Sequence, residues 1–149
     1  MESNLRFVDA RAYIGMLKGL VEEGKEVSII VTGSSMNPFL IHQRDTVFFR
    51  RPDRPLRRGD IVFYQRDNGQ YVLHRIVRVR GDMFDIIGDA QTEIEFGVRR
   101  EQIFALITKV KRKGKLIRPG DFWWMFFERV WLRMIPLRRI ISVVYGKTK

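Results

Sequence analysis

The stretch IVFYQRDNGQYVLH, residues 61–74, decides the fold of this chain. In it, two runs of β-branched and aromatic residues flank the dipeptide Asn68-Gly69, which between apolar runs is a strong signal for a tight hairpin turn. The stretch therefore predicts two antiparallel strands joined by a short turn. Its second strand carries His74, so the prediction also places this histidine on rigid backbone.

Outward from the hairpin, similar short runs predict strands at residues 26–32, 45–50, 83–87 and 103–111, whereas the polar segment 89–102 carries no predicted element. Residues 122–145 are predicted to be helical, with a break near Pro136. Together these elements predict a mainly β fold with helical ends. We expect an N-terminal helix in residues 1–25, a β domain in residues 26–118 and an amphipathic C-terminal helix in residues 119–149.

The N-terminal helix is predicted from apolar spacing between Val8 and Val21. Apolar residues recur there every four positions, with others beside them, and the stripe consists of Val8, Ala12, Met16, Leu20, Tyr13 and Leu17. Gly24 is the expected stop of this helix.

Composition excludes some classes of function. The chain has no cysteine, so disulfides, thiolate zinc sites and cysteine nucleophiles are excluded, and we expect neither a metal nor a cofactor. Its 28 Lys and Arg against 17 Asp and Glu give a net charge of +11, which favours an anionic partner, either a phospholipid surface or nucleic acid. We expect no signal peptide and no transmembrane helix, and hence a cytoplasmic or peripheral membrane protein.

A candidate nucleophile lies in GSSMNP, residues 33–38, directly after the first predicted strand. Gly and Pro there predict a tight connection that presents a hydroxyl at the sheet edge. A serine needs a neighbouring base to become reactive, and the chain offers only His42, in a polar loop, and His74, in a strand. On residue type alone, a strand histidine of this kind is more often simply solvated than catalytic.

Three boxes in the same order resemble type I signal peptidases, within the S24/S26 superfamily of serine proteases. GSSMNP is similar to the family's G-x-S-M-x-P box, RGDIVF at residues 58–63 to its R-G-D-I-V-x-F strand, and HRIVRV at residues 74–79 to the segment with its general base. The resemblance spans about residues 31–111. It implies a coiled antiparallel β-sheet domain that hydrolyses a peptide bond in an extended protein or peptide substrate, with Ser35 as nucleophile and His74 as base.

The identity of the base implies a subgroup. Bacterial housekeeping signal peptidases carry lysine there, whereas endoplasmic-reticulum-type members, found also in archaea, carry histidine in an H-R-V-like context, which His74-Arg75-Ile76 matches. Self-cleaving repressor proteases share a related core, but they use lysine and carry a DNA-binding domain. The short N-terminal helix leaves no room for such a domain, which disfavours a transcriptional switch.

The third catalytic member and the oxyanion hole stay open at this point. The family's G-D-N-N box corresponds to GDAQ at residues 88–91, so the resemblance assigns Asp89, while Glu95 stands where the family has a second Asp and Glu93 lies nearby. Gly33 replaces a serine that assists the oxyanion in some members. The Ser35 N–H is then the natural donor, Ser34 is a weaker candidate, and Met36 and Pro38 complete the predicted substrate-binding set.

The C-terminal segment and two other functions complete the expectations. FWWMFF at residues 122–127, followed by several arginines, suits a helix in contact with an anionic membrane surface, with residues 122–145 as the contact, or a helix packed on the sheet. The alternative function is a non-catalytic peptide-binding module of the same fold at a membrane surface. Nucleic acid is the disfavoured partner, because charge runs are usually solvated faces and no nucleic-acid-binding motif is present.

Overall fold

The computed structural model describes the backbone of residues 2–135 and the side chains of residues 11–135. The described part forms one antiparallel sheet of eight strands: β1 (Val27–Ile30), β2 (Thr46–Arg50), β3 (Ile61–Gln65), β4 (Tyr71–Arg80), β5 (Met83–Ile87), β6 (Glu95–Arg99), β7 (Ile103–Arg112) and β8 (Lys115–Ile117). The strand order is β1-β2-β7-β3-β4-β5-β6, and β8 pairs with β7. The predicted mainly β fold is confirmed.

The predicted hairpin is formed by β3 and β4. Its register places Val62 opposite His74 and Tyr64 opposite Val72. At the turn, Gly69 adopts a positive φ of 89°, and the Gln70 N–H donates to Asn68 Oδ1 at 2.9 Å, which is why Asn and Gly suit these positions.

The sheet is buried on both faces, so the alternating side chains of β3 enter two different cores. The helix-side core lies beneath the N-terminal helix and the C-terminal segment and includes Leu17, Val21, Met36, Phe39, Phe63, Trp124 and Phe127. The opposite core, called here the hairpin core, includes Val62, Tyr64, Val72, Ile76, Phe84 and Ile103. His74 is in register with hairpin-core residues, whereas its neighbour Arg75 lies over the Phe39 ring of the helix-side core.

The N-terminal helix α1 spans Glu2–Glu22, but its predicted apolar stripe is wrong in part. Leu17 and Val21 are buried, whereas Tyr13 and Met16 are 47% and 56% exposed. The reason is geometric: a step of four residues turns about 400° at 3.6 residues per turn, so a stripe built on that step drifts around the helix. The buried face instead contains Leu17 and Val21, with Ile14 and Leu20 packed against it.

The C-terminal segment is helical in short pieces over the described residues: Phe122–Met125, Phe126–Val130 and Trp131–Met134. Trp124 and Phe127 are buried in the helix-side core, where the Phe127 and Phe39 rings lie 4.8 Å apart. The remainder of the predicted helix, including Pro136, lies outside the described residues. Among the helices of residues 2–135, none has the length and apolar character required to cross a bilayer.

Candidate active site

Ser35 and His74 line the same cleft, which has a volume of about 240 Å³. One wall is the chain that leaves β1, residues 31–36, and the other is formed by residues 70–74 at the start of β4. Arg66 and Gln91 close the ends. Folding therefore brings the predicted nucleophile and the predicted base to one concave surface, although among the described residues no direct hydrogen bond joins them.

The wall that carries His74 is an unpaired strand edge. From Tyr71 to His74, β4 pairs with β3 on one side, and its pairing with β5 on the other side begins only at Arg75. Within residues 2–135, no strand pairs with the open side of 71–74. An extended segment entering the cleft would therefore meet backbone groups that are available for strand addition.

Two contacts brace the backbone around Ser35. The Gly33 N–H donates to His42 Nδ1 at 2.8 Å, and the Ala90 N–H donates to the Ser35 carbonyl oxygen at 2.9 Å. A Cβ added at Gly88 would lie 2.5 Å from that same carbonyl oxygen, so only glycine allows the 88–91 turn to approach this closely. The GDAQ box thus positions the backbone of the serine loop.

His74 is buried, with 4% of its surface exposed, and burial is the main reason that its pKa falls to about 4. Its Nδ1 lies 3.5 Å from the Tyr64 hydroxyl, which donates to Glu95 Oε1 at 2.8 Å. Because the Tyr64 hydroxyl donates its hydrogen bond to Glu95, its oxygen is left to accept a hydrogen bond from Nδ1–H of His74. That arrangement favours the tautomer of His74 whose Nε2 is unprotonated and basic.

Glu95 is held in turn by Arg66, whose Nη2 lies 2.7 Å from Oε1. Although burial opposes it, hydrogen bonds from Arg66 and Tyr64 hold the pKa of Glu95 below its ordinary value. Glu95 is therefore ionised near neutral pH and acts on His74 through Tyr64. Of the three carboxylates considered from the sequence, this is the one connected to His74 in the structure.

Asp89 is engaged elsewhere. Its two carboxylate oxygens accept hydrogen bonds from Arg75 Nε and Nη2 at 2.8 and 2.9 Å, in a pair whose side chains are 1% and 0% exposed. Its backbone oxygen accepts a hydrogen bond from the Trp131 indole at 2.8 Å. The structure thus brings Asp89 to Arg75 rather than to His74, while Glu93 is exposed on the surface.

Comparison with known families agrees with this architecture. The sequence pattern of the Peptidase S24-like family matches residues 5–110. The chain belongs to the Peptidase S24-like family. The match runs from within α1 to within β7 and includes every residue that lines the cleft. A comparison with curated protein sequences gave no match.

The other residues predicted to bind substrate in this S24-like peptidase take different places. The Gly33 N–H is engaged by His42, and the Met36 side chain is 2% exposed in the helix-side core even though Met36 also lines the cleft. Ser34 is exposed, and the Pro38 carbonyl accepts a hydrogen bond from Arg112 outside the cleft lining. The Ser35 N–H has no acceptor among residues 2–135, as an oxyanion donor requires.

Sequence reasoning misses the site roles of four residues: His42, Tyr64, Arg66 and Gln91. The sequence suggests His42 only as a candidate general base, whereas in the structure its Nδ1 accepts a hydrogen bond from the Gly33 N–H. Tyr64 was part of the hairpin pattern, and the period-two alternation that places it on the same face as His74 was the available signal. Gln91 lines the cleft and accepts a hydrogen bond from the Gly88 N–H.

Proposed function

We propose that this S24-like family member is a serine endopeptidase of signal peptidase type, in which Ser35 is the nucleophile and His74 the general base. The observation that carries the proposal is that both residues line one cleft bounded by an unpaired strand edge. The histidine base and its H-R-I context support kinship with the endoplasmic-reticulum-type and archaeal group.

The substrate is a segment in extended conformation. It adds to the open side of residues 71–74 by backbone hydrogen bonds, which place a peptide carbonyl between Ser35 and His74. Strand addition reads the backbone rather than side chains. Selectivity among sequences therefore depends on the small pockets beside that backbone.

In the chemical step, Ser35 Oγ attacks the carbonyl carbon while His74 Nε2 takes the hydroxyl proton. The Ser35 N–H stabilises the resulting oxyanion. His74 then gives the proton to the leaving amine as the C–N bond breaks, and water hydrolyses the acyl-enzyme with His74 again as base. Because the lowered pKa keeps His74 neutral at pH 7, the base is in its active form without prior deprotonation.

The decisive test is peptide cleavage by Ser35→Ala and His74→Ala variants. With fluorogenic peptides that carry small residues before the scissile bond, we expect each variant to lose roughly 10⁴- to 10⁶-fold in kcat, as removal of a triad serine or histidine does elsewhere. Ser28→Ala, an exposed serine in β1, serves as the matched control and should retain full activity.

Two outcomes would contradict the proposal. Equal cleavage by wild type and Ser35→Ala would assign the activity to another group or to a contaminant. Peptide binding by a folded wild-type protein that cleaves none of the peptides would favour the non-catalytic binding module.

We further propose that the exposed aromatic end of the C-terminal segment contacts an anionic membrane surface. Phe122 and Trp123 are 71% and 46% exposed, and the Arg112 guanidinium lies 5.4 Å from the Trp123 ring centroid, a combination of aromatic and cationic groups that suits a lipid interface. Phe122→Ser/Trp123→Ser should reduce co-sedimentation with vesicles containing phosphatidylserine, whereas Val130→Ser, at a 48% exposed position of the same segment, should not. Unchanged binding of the double variant would contradict it.

A further inference from the structure

A second concave surface lies outside the Ser35–His74 cleft and has a volume of about 510 Å³. Its lining combines three arginines with an apolar wall, and the set consists of Arg57, Arg58, Arg78, Leu56, Val77, Val79, Ile94 and Phe96 with a single acid, Asp85. We call this surface the arginine cleft. None of its residues takes part in the proposed chemistry.

The positive charge of the arginine cleft is not neutralised from within. In the described part of the chain, no acidic side chain lies within ion-pair distance of Arg57 or Arg58. The carboxylate of Asp85 accepts hydrogen bonds from Arg80 at 2.8 and 3.0 Å and from the Gly97 N–H, and Arg78 reaches it only at 4.0 Å. The one acid in the cleft is thus already paired by an arginine that does not line it.

This pattern differs from that of three other arginines of the protein. Arg54, Arg66 and Arg75 each bind a carboxylate at less than 3 Å. Arg57 and Arg58, which have no carboxylate partner among the described residues, line one concavity together with Arg78. This concentration of positive charge indicates a binding site for negative charge.

The apolar wall adds a second requirement for the ligand. Phe96 on β6 is 67% exposed and Val79 on β4 is 40% exposed, although both side chains are apolar. Aromatic side chains left exposed beside arginines are typical of the anchor positions of protein interfaces. A small inorganic anion would pair with the arginines but would leave the apolar side chains exposed to water.

A third concave surface lies along β6 and shares Arg66 with the Ser35–His74 cleft and Phe96 with the arginine cleft. These shared lining residues place the arginine cleft near the Ser35–His74 cleft.

We propose that the arginine cleft binds an acidic segment of the protein substrate, one in which Asp or Glu alternates with apolar residues. The identification of the ligand as a substrate rests on the endopeptidase function proposed above. The binding of an acidic, apolar segment is independent of that function. The segment needs both acidic and apolar side chains because guanidinium groups and apolar side chains line the same concavity.

The test is direct binding, measured by fluorescence anisotropy with a short fluorescein-labelled peptide in which Glu alternates with Leu and Phe. The protein is the full chain carrying Ser35→Ala, so cleavage cannot obscure binding. We expect the combined Arg57→Ala, Arg58→Ala and Arg78→Ala variant to bind about tenfold more weakly, the sum of three exposed ion pairs at a few tenths of a kcal/mol each. The matched control is Lys111→Ala, Lys115→Ala and Arg118→Ala, which removes equal charge from exposed positions around β8.

Two variant peptides and two further comparisons test whether the arginine cleft is the binding site. A peptide with Gln in place of Glu, and another with Ser in place of Leu and Phe, should both bind more weakly. Equal loss in the control variant would show a general basic surface and overturn the proposal, as would no binding at all. Loss of binding to phosphatidylserine vesicles in the arginine variant, with the peptide bound equally by all variants, would assign the cleft to a membrane instead. None of these results depends on catalysis, so a failure here leaves the endopeptidase test unaffected.

Discussion

Two neighbouring residues of β4, His74 and Arg75, point to opposite faces of the sheet and lie in contrasting electrostatic environments. Arg75 forms a fully buried, doubly hydrogen-bonded pair with Asp89. His74 contacts Tyr64, and through it a Glu95–Arg66 pair whose side chains are about one-third exposed. The first arrangement joins β4, the 88–91 turn and Trp131. The second links His74 to a partly exposed carboxylate through a hydroxyl. Carboxylates near a candidate base thus differ in role according to the face they occupy.

The largest expected effect comes from breaking the buried pair. Asp89→Asn leaves the Arg75 charge buried without a counter-charge, and we expect the free energy of unfolding to fall by about 3–5 kcal/mol. Urea denaturation at pH 7 measures it. Asp53→Asn removes one side of the exposed Arg50–Asp53 pair and should cost less than about 1 kcal/mol. A loss below about 1 kcal/mol for Asp89→Asn would show that the pair does not hold the 88–91 turn in place.

The second prediction concerns the pH dependence of stability on the His74 face. The unfolded chain binds a proton at His74 near the ordinary pKa of 6.5, whereas the folded chain does so only near pH 4, because burial lowers the pKa. Stability from this source is present above pH 6.5 and is lost as the pH falls toward 4. Wild type should therefore lose about 2 kcal/mol more than His74→Asn between pH 7 and about pH 4.5.

Urea denaturation at both pH values tests this difference. If His74→Asn shows the same acid loss as wild type, then His74 is not kept neutral by the fold.

The smallest effect is expected from the link between the base and its carboxylate. Tyr64→Phe removes the hydroxyl that orients His74, and kcat/KM should fall about tenfold, the equivalent of one hydrogen bond of about 1.4 kcal/mol. The acid limb of the pH profile should shift as well, which a purely structural role would not cause. Tyr71→Phe, a hydroxyl removal in the same cleft, is the control, and equal losses in both variants would argue against the Tyr64 link.

Much of the fold is visible in the sequence because its signals are local. The β3–β4 hairpin depends on a dipeptide and two apolar runs, and the strand at 83–87 is bounded by turn residues. Strands β6 and β8 are not predicted because they are only five and three residues long, and β5 and β7 supply the partners with which they pair. The predicted stripe of α1 is wrong in part for a different reason, because a step of four residues drifts around a helix of 3.6 residues per turn.

The sequence predicts the nucleophile and the base of the site but not the hydrogen bonds that surround them. Box resemblance indicated Ser35 and His74, and the structure places both in one cleft. The resemblance also suggested Asp89, Glu93 and Glu95 as the third catalytic member without distinguishing them, because that choice depends on contacts across the fold. Tyr64 and Glu95 are joined by a hydrogen bond although they are 31 positions apart. Asp89 accepts its hydrogen bond from Arg75, the residue that follows His74. No spacing rule expresses such competition.

The unpaired start of β4 has one more consequence, which concerns what can enter. Its open side extends over about four residues, roughly 13 Å at 3.3 Å per residue, before β5 takes over the pairing. A strand already built into a folded domain brings its neighbours with it and would collide with β5 and the 88–91 turn. If a chain adds to this short edge, the geometry favours a lone, unfolded stretch over the edge of another folded sheet, which would limit polymerisation through it and restrict access to locally unstructured partners.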